Sequence, residues 1–177
     1  MLDSKRVKEA EGNVRNYLSE GLLKKVEKVD KNILNTYKKN CEESLETANF
    51  LDKNNRPPLW IIVCSYYSMY YMANAVLYNI GYKVGERISH KVTSDALIVF
   101  IRGKLRKKLL EEFEEAREEA SEIVGLKANG IIKSFDFERV KRSKFQYNMT
   151  EKVKKSKSIT SLDRAKDFVF ELEKLLV

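Results

Sequence analysis

Residues 59–82 read LWIIVCSYYSMYYMANAVLYNIGY and hold no charged side chain, in a chain of 177 residues of which 34% are Asp, Glu, Lys or Arg. Flanked by Arg56 and Lys83, the run is long enough to cross a bilayer, which takes about 20 apolar residues as a helix. Its middle, however, carries Ser65, Ser68, Asn74 and six tyrosines spread along its length, whereas spanning helices gather their aromatics at the two interfaces. The run is therefore expected to be a helix enclosed by its neighbours in a bundle, with no membrane involved. On a helical wheel Tyr67, Tyr71, Asn74, Tyr78 and Tyr82 follow one side, and Tyr66, Tyr70, Ala73 and Leu77 the next. A buried tyrosine still needs a partner for its hydroxyl, so Ser65, Tyr67 or Tyr71 is expected to face a polar groove or a dimer seam.

The rest of the chain reads as helices. The two prolines are adjacent, Pro57 and Pro58, and the seven glycines fall mainly between periodic segments. Val7, Ala10, Val14 and Leu18 predict a helix from Asp3 to Ser19, ended by Gly21. Val26, Val29, Ile33, Tyr37, Cys41, Leu45 and Ala48 predict a second from Lys24 to Leu51. The prolines stop that helix and open the uncharged one. A short helix is expected from Ser89 or His90 to Phe100, and a charged one from Lys104 to Ile123. Gly125 and Gly130 separate the latter from a run Ile131–Tyr147, and a last helix starts at Thr160 or Ser161, whose hydroxyl would cap it. The expected architecture is all-α, an up-and-down bundle of about five to seven helices. One domain is expected over residues 1–177, with residues 1–21 packed on the bundle as an N-terminal helix.

Composition narrows the chemistry. Cys41 and Cys64 stand apart and His90 is the single histidine, so neither a disulfide framework nor a metal site is expected. The charged N-terminus lacks a signal peptide's apolar stretch, which points to the cytoplasm. A net charge of +8 suits an anionic partner such as nucleic acid, and equally a lysine-rich wet surface.

Three features coincide in order: S-Y-Y-S-M-Y-Y-x-A-N-A-V-L ending in N-I-G-Y, a Ser89-His90-Lys91 helix start, and the distal string Arg142-S-K-F-Q-Tyr147-Asn148. Together they resemble the HEPN superfamily, the "higher eukaryotes and prokaryotes nucleotide-binding" domains. The likeness is to small stand-alone prokaryotic members with an A-Y-Y-A-M-F-x-A-x-x-A-L-L helix, a lysine-histidine near a helix start, and R-x-x-A-D-Y-D. It runs from about Tyr37 to the C-terminus. The resemblance implies a helical bundle that often dimerises, encoded beside a minimal nucleotidyltransferase in a toxin-antitoxin type pair, and a site that binds RNA or a nucleotide without a further cofactor.

Ribonuclease members carry an arginine followed a few residues later by a histidine on the same helix, the one holding phosphate and the other moving a proton. Here Tyr147, Asn148 and Met149 stand at that distance from Arg142, and Lys144, Phe145 and Gln146 from Arg139. A tyrosine of ordinary pKa near 10 is a poor base at neutral pH, so the expectation is a binding module and not the usual enzyme. Its candidate ligand residues are Arg142, Tyr147, Asn148, Arg139, Lys144, His90, Tyr67 and Tyr71. Two alternatives stay open: a metal-independent RNase toxin that uses Arg142 with His90 or Tyr147, and a non-catalytic protein-interaction module. His90 also reads as an exposed or capping residue at a helix start, the reading that Ser89-His90 favours over a catalytic one.

Overall fold

The computed structural model describes residues 2–136 and 155–176. Among them it places six helices and one small sheet in the order α1 (Ser4–Ser19), β1 (Leu23–Lys25), α2 (Lys31–Lys53), α3 (Pro58–Asn79), β2 (Tyr82–Val84), α4 (Ser89–Phe100), α5 (Lys107–Asp136) and α6 (Lys155–Glu173). The all-α bundle is present, with the uncharged run at its centre. Helix α3 packs on α2, α4, α5 and α6, which is why most of its surface needs no charge. No helix among the described residues is long and apolar enough to cross a membrane.

The core runs from Ala10 and Val14 on α1 through Met69, Met72, Val76 and Leu77 on α3 to Leu97 on α4, Phe113 on α5 and Phe168 on α6. Phe113 and Phe168 stack at 5.1 Å with an interplanar angle of 15° and join α5 to α6. Each buried ring of this size contributes about 1.5–3 kcal/mol by leaving water. Helix α1 buries Ala10, Val14 and Tyr17 and packs on α4. Its first turn is capped by Asp3, whose side chain accepts from the Arg6 N–H at 2.7 Å.

Three boundaries differ from the sequence reading. The second helix begins at Lys31 and not at Lys24, because Asp30 caps it by accepting from the Asn32 N–H at 2.8 Å. Residues 23–25 instead pair antiparallel with 82–84, Leu23 facing Val84 and Lys25 facing Tyr82. The pairing continues at both ends through the Val26 N–H to Gly81 O and the Gly85 N–H to Leu22 O, each 2.8 Å. Gly85 lets the backbones close, since a Cβ there would stand 3.1 Å from Leu22 O. Tyr82 accordingly leaves the helical stripe and stacks on Phe100 at 4.1 Å.

The second difference is that α5 runs unbroken through Gly125 and Gly130 to Asp136. Glycine inside a helix costs about 1 kcal/mol relative to alanine, too little to end one that carries i,i+4 pairs such as Lys107–Glu111 and Lys108–Glu112. The third is that α6 starts at Lys155. The hydroxyls of Ser158 and Thr160 donate back to the carbonyls of Lys155 and Ser156 inside the helix, so they cap nothing.

Because the Asp30 side chain holds the first turn of α2, Asp30→Ala is expected to lower stability by about 1 kcal/mol. A urea unfolding curve checks this, with an unchanged midpoint counting against the cap.

Candidate functional site

Helix α4 enters from Ile88, whose φ of 45° and ψ of 29° put a β-branched residue in the left-handed region with no side-chain cap on the helix. Such a conformation costs about 1–3 kcal/mol and survives only where the surroundings enforce it. It delivers His90 in the first turn of α4 against the tyrosines of α3. Tyr66 and Tyr70 are four residues apart and so share a face of α3. The His90 ring lies 4.4 Å from that of Tyr70, 5.5 Å from Tyr66 and 5.8 Å from Tyr67, the last edge-on. The Tyr66 hydroxyl meets His90 Nδ1 at 2.8 Å.

The cluster is graded in burial. Tyr66 is 3% exposed and packs on Phe113 of α5 at 6.0 Å, while His90, Tyr67, Tyr70 and Tyr71 are half-buried. Burial pushes the Tyr66 phenol far above its usual pKa, so it keeps its proton. Burial lowers the pKa of His90, and the Arg117 guanidinium on α5 lowers it further. The imidazole is thus neutral at pH 7, set among aromatic faces beside one fixed positive charge.

A second network holds these elements in place. Asp95 on α4 is fully buried and receives Arg6 Nη2 at 2.5 Å, Asn13 Nδ2 at 3.0 Å and the Tyr17 hydroxyl at 2.9 Å. Arg6 also reaches Glu114 on α5, through Nε at 2.9 Å and Nη2 at 2.6 Å. Ser94 donates to the same Glu114 oxygen at 3.2 Å. Burial works against the Arg6 charge, but its bonds to Asp95 and Glu114 outweigh this and leave its pKa raised. Thr93 of α4 donates to Asn74 of α3 at 3.3 Å. Helices α1, α3, α4 and α5 are thereby fixed around His90 by polar contacts as well as by packing.

Beside this network, a cavity of about 310 Å³ opens between α1, α4 and α5, and Arg117 forms part of its wall with Arg6 and Lys91. Five of its eight lining residues are glutamates, Glu114 and Glu118 among them, so it repels phosphate.

Of the residues named from sequence, His90 and Tyr67 come together, and Tyr71 lies 6.0 Å from the Tyr67 ring. His90 is not the cap of α4, a place taken by Ile88. Ser65 is fully buried, and among the described residues its hydroxyl has no partner, which corrects the expectation that it faces a groove. Tyr78 is buried as well, edge-on to Tyr37 at 6.1 Å and accepting from the Asp30 N–H at 3.1 Å. Arg139, Arg142, Lys144, Tyr147 and Asn148 lie outside the described residues. Sequence reasoning passed over Tyr66, Tyr70 and Arg117. The spacing of Tyr66 and Tyr70 was a usable signal, but nothing in the charge-rich stretch around Arg117 distinguished it from its neighbours.

The fold and this cluster define a helical bundle with a histidine set among tyrosines at the meeting of α3, α4 and α5. No protein-family model, curated protein or solved structure matches the chain.

Proposed function

We propose that the protein is a HEPN-like module that binds RNA or a nucleotide, with the aromatic surface of Tyr67, Tyr70, Tyr71 and His90 as its base-stacking platform. The observation that carries this reading is the ring cluster itself, with Tyr70 and Tyr67 half-buried at 4.4 and 5.8 Å from His90. Half-exposed faces beside a guanidinium suit single-stranded nucleic acid, where each stacked base is worth about 1–3 kcal/mol and the cation meets the backbone. The net charge of +8 supplies long-range attraction to the same class of ligand. In this reading the protein works as a homodimer beside a minimal nucleotidyltransferase, for which the support is the sequence resemblance. Arg142 and Tyr147 would belong to the same ligand surface on that resemblance alone.

The test is the affinity of a short single-stranded RNA for wild type and Arg117→Ala at two salt concentrations. Binding is expected to weaken with salt, and the variant to bind more weakly with a log–log salt slope shallower by about one. Among the described residues Arg117 pairs with the exposed Glu118 at 3.5 Å, but its side chain is 20% exposed, so thermal melting of the variant is read alongside to separate lost contacts with RNA from lost packing. Equal affinity and slope in the variant would remove Arg117 from the site.

A ribonuclease reading is favoured by one feature, the neutral imidazole of His90, which at pH 7 is in the form a general base requires. RNA cleavage that is lost in His90→Ala would establish it. Intact RNA after prolonged incubation over a range of pH would reject it.

A further inference from the structure

The contact between Tyr66 and His90 decides what the imidazole offers a ligand. Among the described residues the Tyr66 hydroxyl has one hydrogen-bond partner, His90 Nδ1 at 2.8 Å. Two arrangements fit that distance: the phenol donates to a bare Nδ1, or a protonated Nδ1 donates to the phenol oxygen. A phenol is a good donor and a weak acceptor, whereas an unprotonated imidazole nitrogen is among the better acceptors in a protein. The first arrangement also keeps the buried phenol proton on a partner, as a Tyr66 that is 3% exposed requires. The second would leave the phenol O–H with no acceptor. Because Nδ1 is then an acceptor, the single proton of the neutral ring must sit on Nε2.

We propose that Tyr66 is a positioning residue that holds His90 with its proton on Nε2, so that the site presents a neutral hydrogen-bond donor to a phosphate oxygen or base carbonyl of the bound nucleotide. The ligand half of this statement rests on the nucleotide-binding reading, whereas the tautomer half stands on the geometry alone. It also separates the two functional readings. An Nε2–H donor holds a ligand, while a general base working through Nε2 needs that nitrogen bare.

Tyr66 is well placed for such a role because its own ring is fixed from two sides, by Phe113 at 6.0 Å and by Tyr70 at 6.3 Å. Tyr70, by contrast, meets His90 ring to ring at 4.4 Å with the planes tilted by 43°, and among the described residues the hydrogen bond to Nδ1 comes from Tyr66 and not from Tyr70.

His90 is the only histidine in the chain, so tag-free, ¹⁵N-labelled protein gives one imidazole in a long-range ¹H–¹⁵N correlation spectrum. At pH 8 the wild type is expected to show Nε2 as the protonated nitrogen and Nδ1 as the bare one. Tyr66→Phe, which keeps the ring and its packing, is expected to move both shifts toward a tautomer average, and Tyr70→Phe to leave them where they are. AMP affinity should fall about threefold to tenfold in Tyr66→Phe, the range of one net hydrogen bond. A protonated Nδ1 in wild type, or a Tyr66→Phe spectrum identical to wild type, overturns the positioning role. An Nε2-protonated wild type that binds neither AMP nor RNA overturns the nucleotide-binding reading and leaves the tautomer assignment standing.

Discussion

Arg6→Met is expected to destabilise the fold by about 3–5 kcal/mol, the cost of breaking a buried ion pair from one side. The reason lies in what remains. Asp95 is fully buried and would lose the one cation paired with it among the described residues, keeping the Asn13 amide and the Tyr17 hydroxyl as donors. Those two hydrogen bonds cannot balance a carboxylate removed from water. Glu114, 14% exposed, would lose its bonds from Arg6 at the same time and keep the Ser94 hydroxyl as a donor. Removing the whole network should cost much less, because apolar residues of similar volume carry no desolvation penalty and a buried triad is often worth little net. Among the described residues the buried Arg6 Nη1 has no partner, a sign that the network is imperfectly satisfied even when intact. Urea denaturation of Arg6→Met against a triple Arg6→Met, Asp95→Leu, Glu114→Leu variant separates the two terms. A single variant as stable as wild type would mean that α1 is not held through Arg6.

Tyr70→Ala is expected to weaken RNA binding by about 10- to 100-fold, corresponding to the loss of one stacked base. Tyr70 has the ring nearest to His90, at 4.4 Å, and also touches Tyr71 at 5.6 Å. Its removal opens the middle of the platform. Tyr70→Phe keeps the π face and should bind within about twofold of wild type, since stacking and not the hydroxyl carries the interaction. If Tyr70→Phe were as weak as Tyr70→Ala, the tyrosines would act through their hydroxyls instead. Thermal melting of both variants controls for stability, because Tyr70 is half-buried and its truncation also removes packing.

Much of the fold was legible because it follows from hydrophobic periodicity and from proline. The uncharged run 59–82 announced a helix enclosed by its neighbours, and α3 is that central helix from Pro58 to Asn79, with Tyr67, Tyr70 and Tyr71 left half-buried. The sheet was not legible. Val26 and Val29 fall in phase with Ile33 and Tyr37, so a helical reading ran straight through a three-residue strand. The competing signal was Asp30, a capping residue placed just before the true start of α2. Gly125 and Gly130 misled in the other direction, since the cost of two glycines is small beside the length of a 30-residue helix.

The site divides along the same physical line. The pairing of Tyr66 with Tyr70 is local, set by the helical repeat, and was within reach of the sequence. Arg6 and Asp95 are 89 residues apart, and only the packing of α1 on α4 brings them together. The same holds for Arg117, whose charge acts on His90 only because α5 packs on α3 and α4.

The most direct test of the account is an RNA titration of the full chain followed on the imidazole of His90, the only one present, with anisotropy of the same labelled RNA read in parallel. The account predicts a saturable shift of the His90 ring signals with the same midpoint as the anisotropy change, both weakened in Tyr70→Ala. RNA binding that leaves the His90 signals untouched, or no binding at low salt, would contradict the assignment of this cluster as the ligand site.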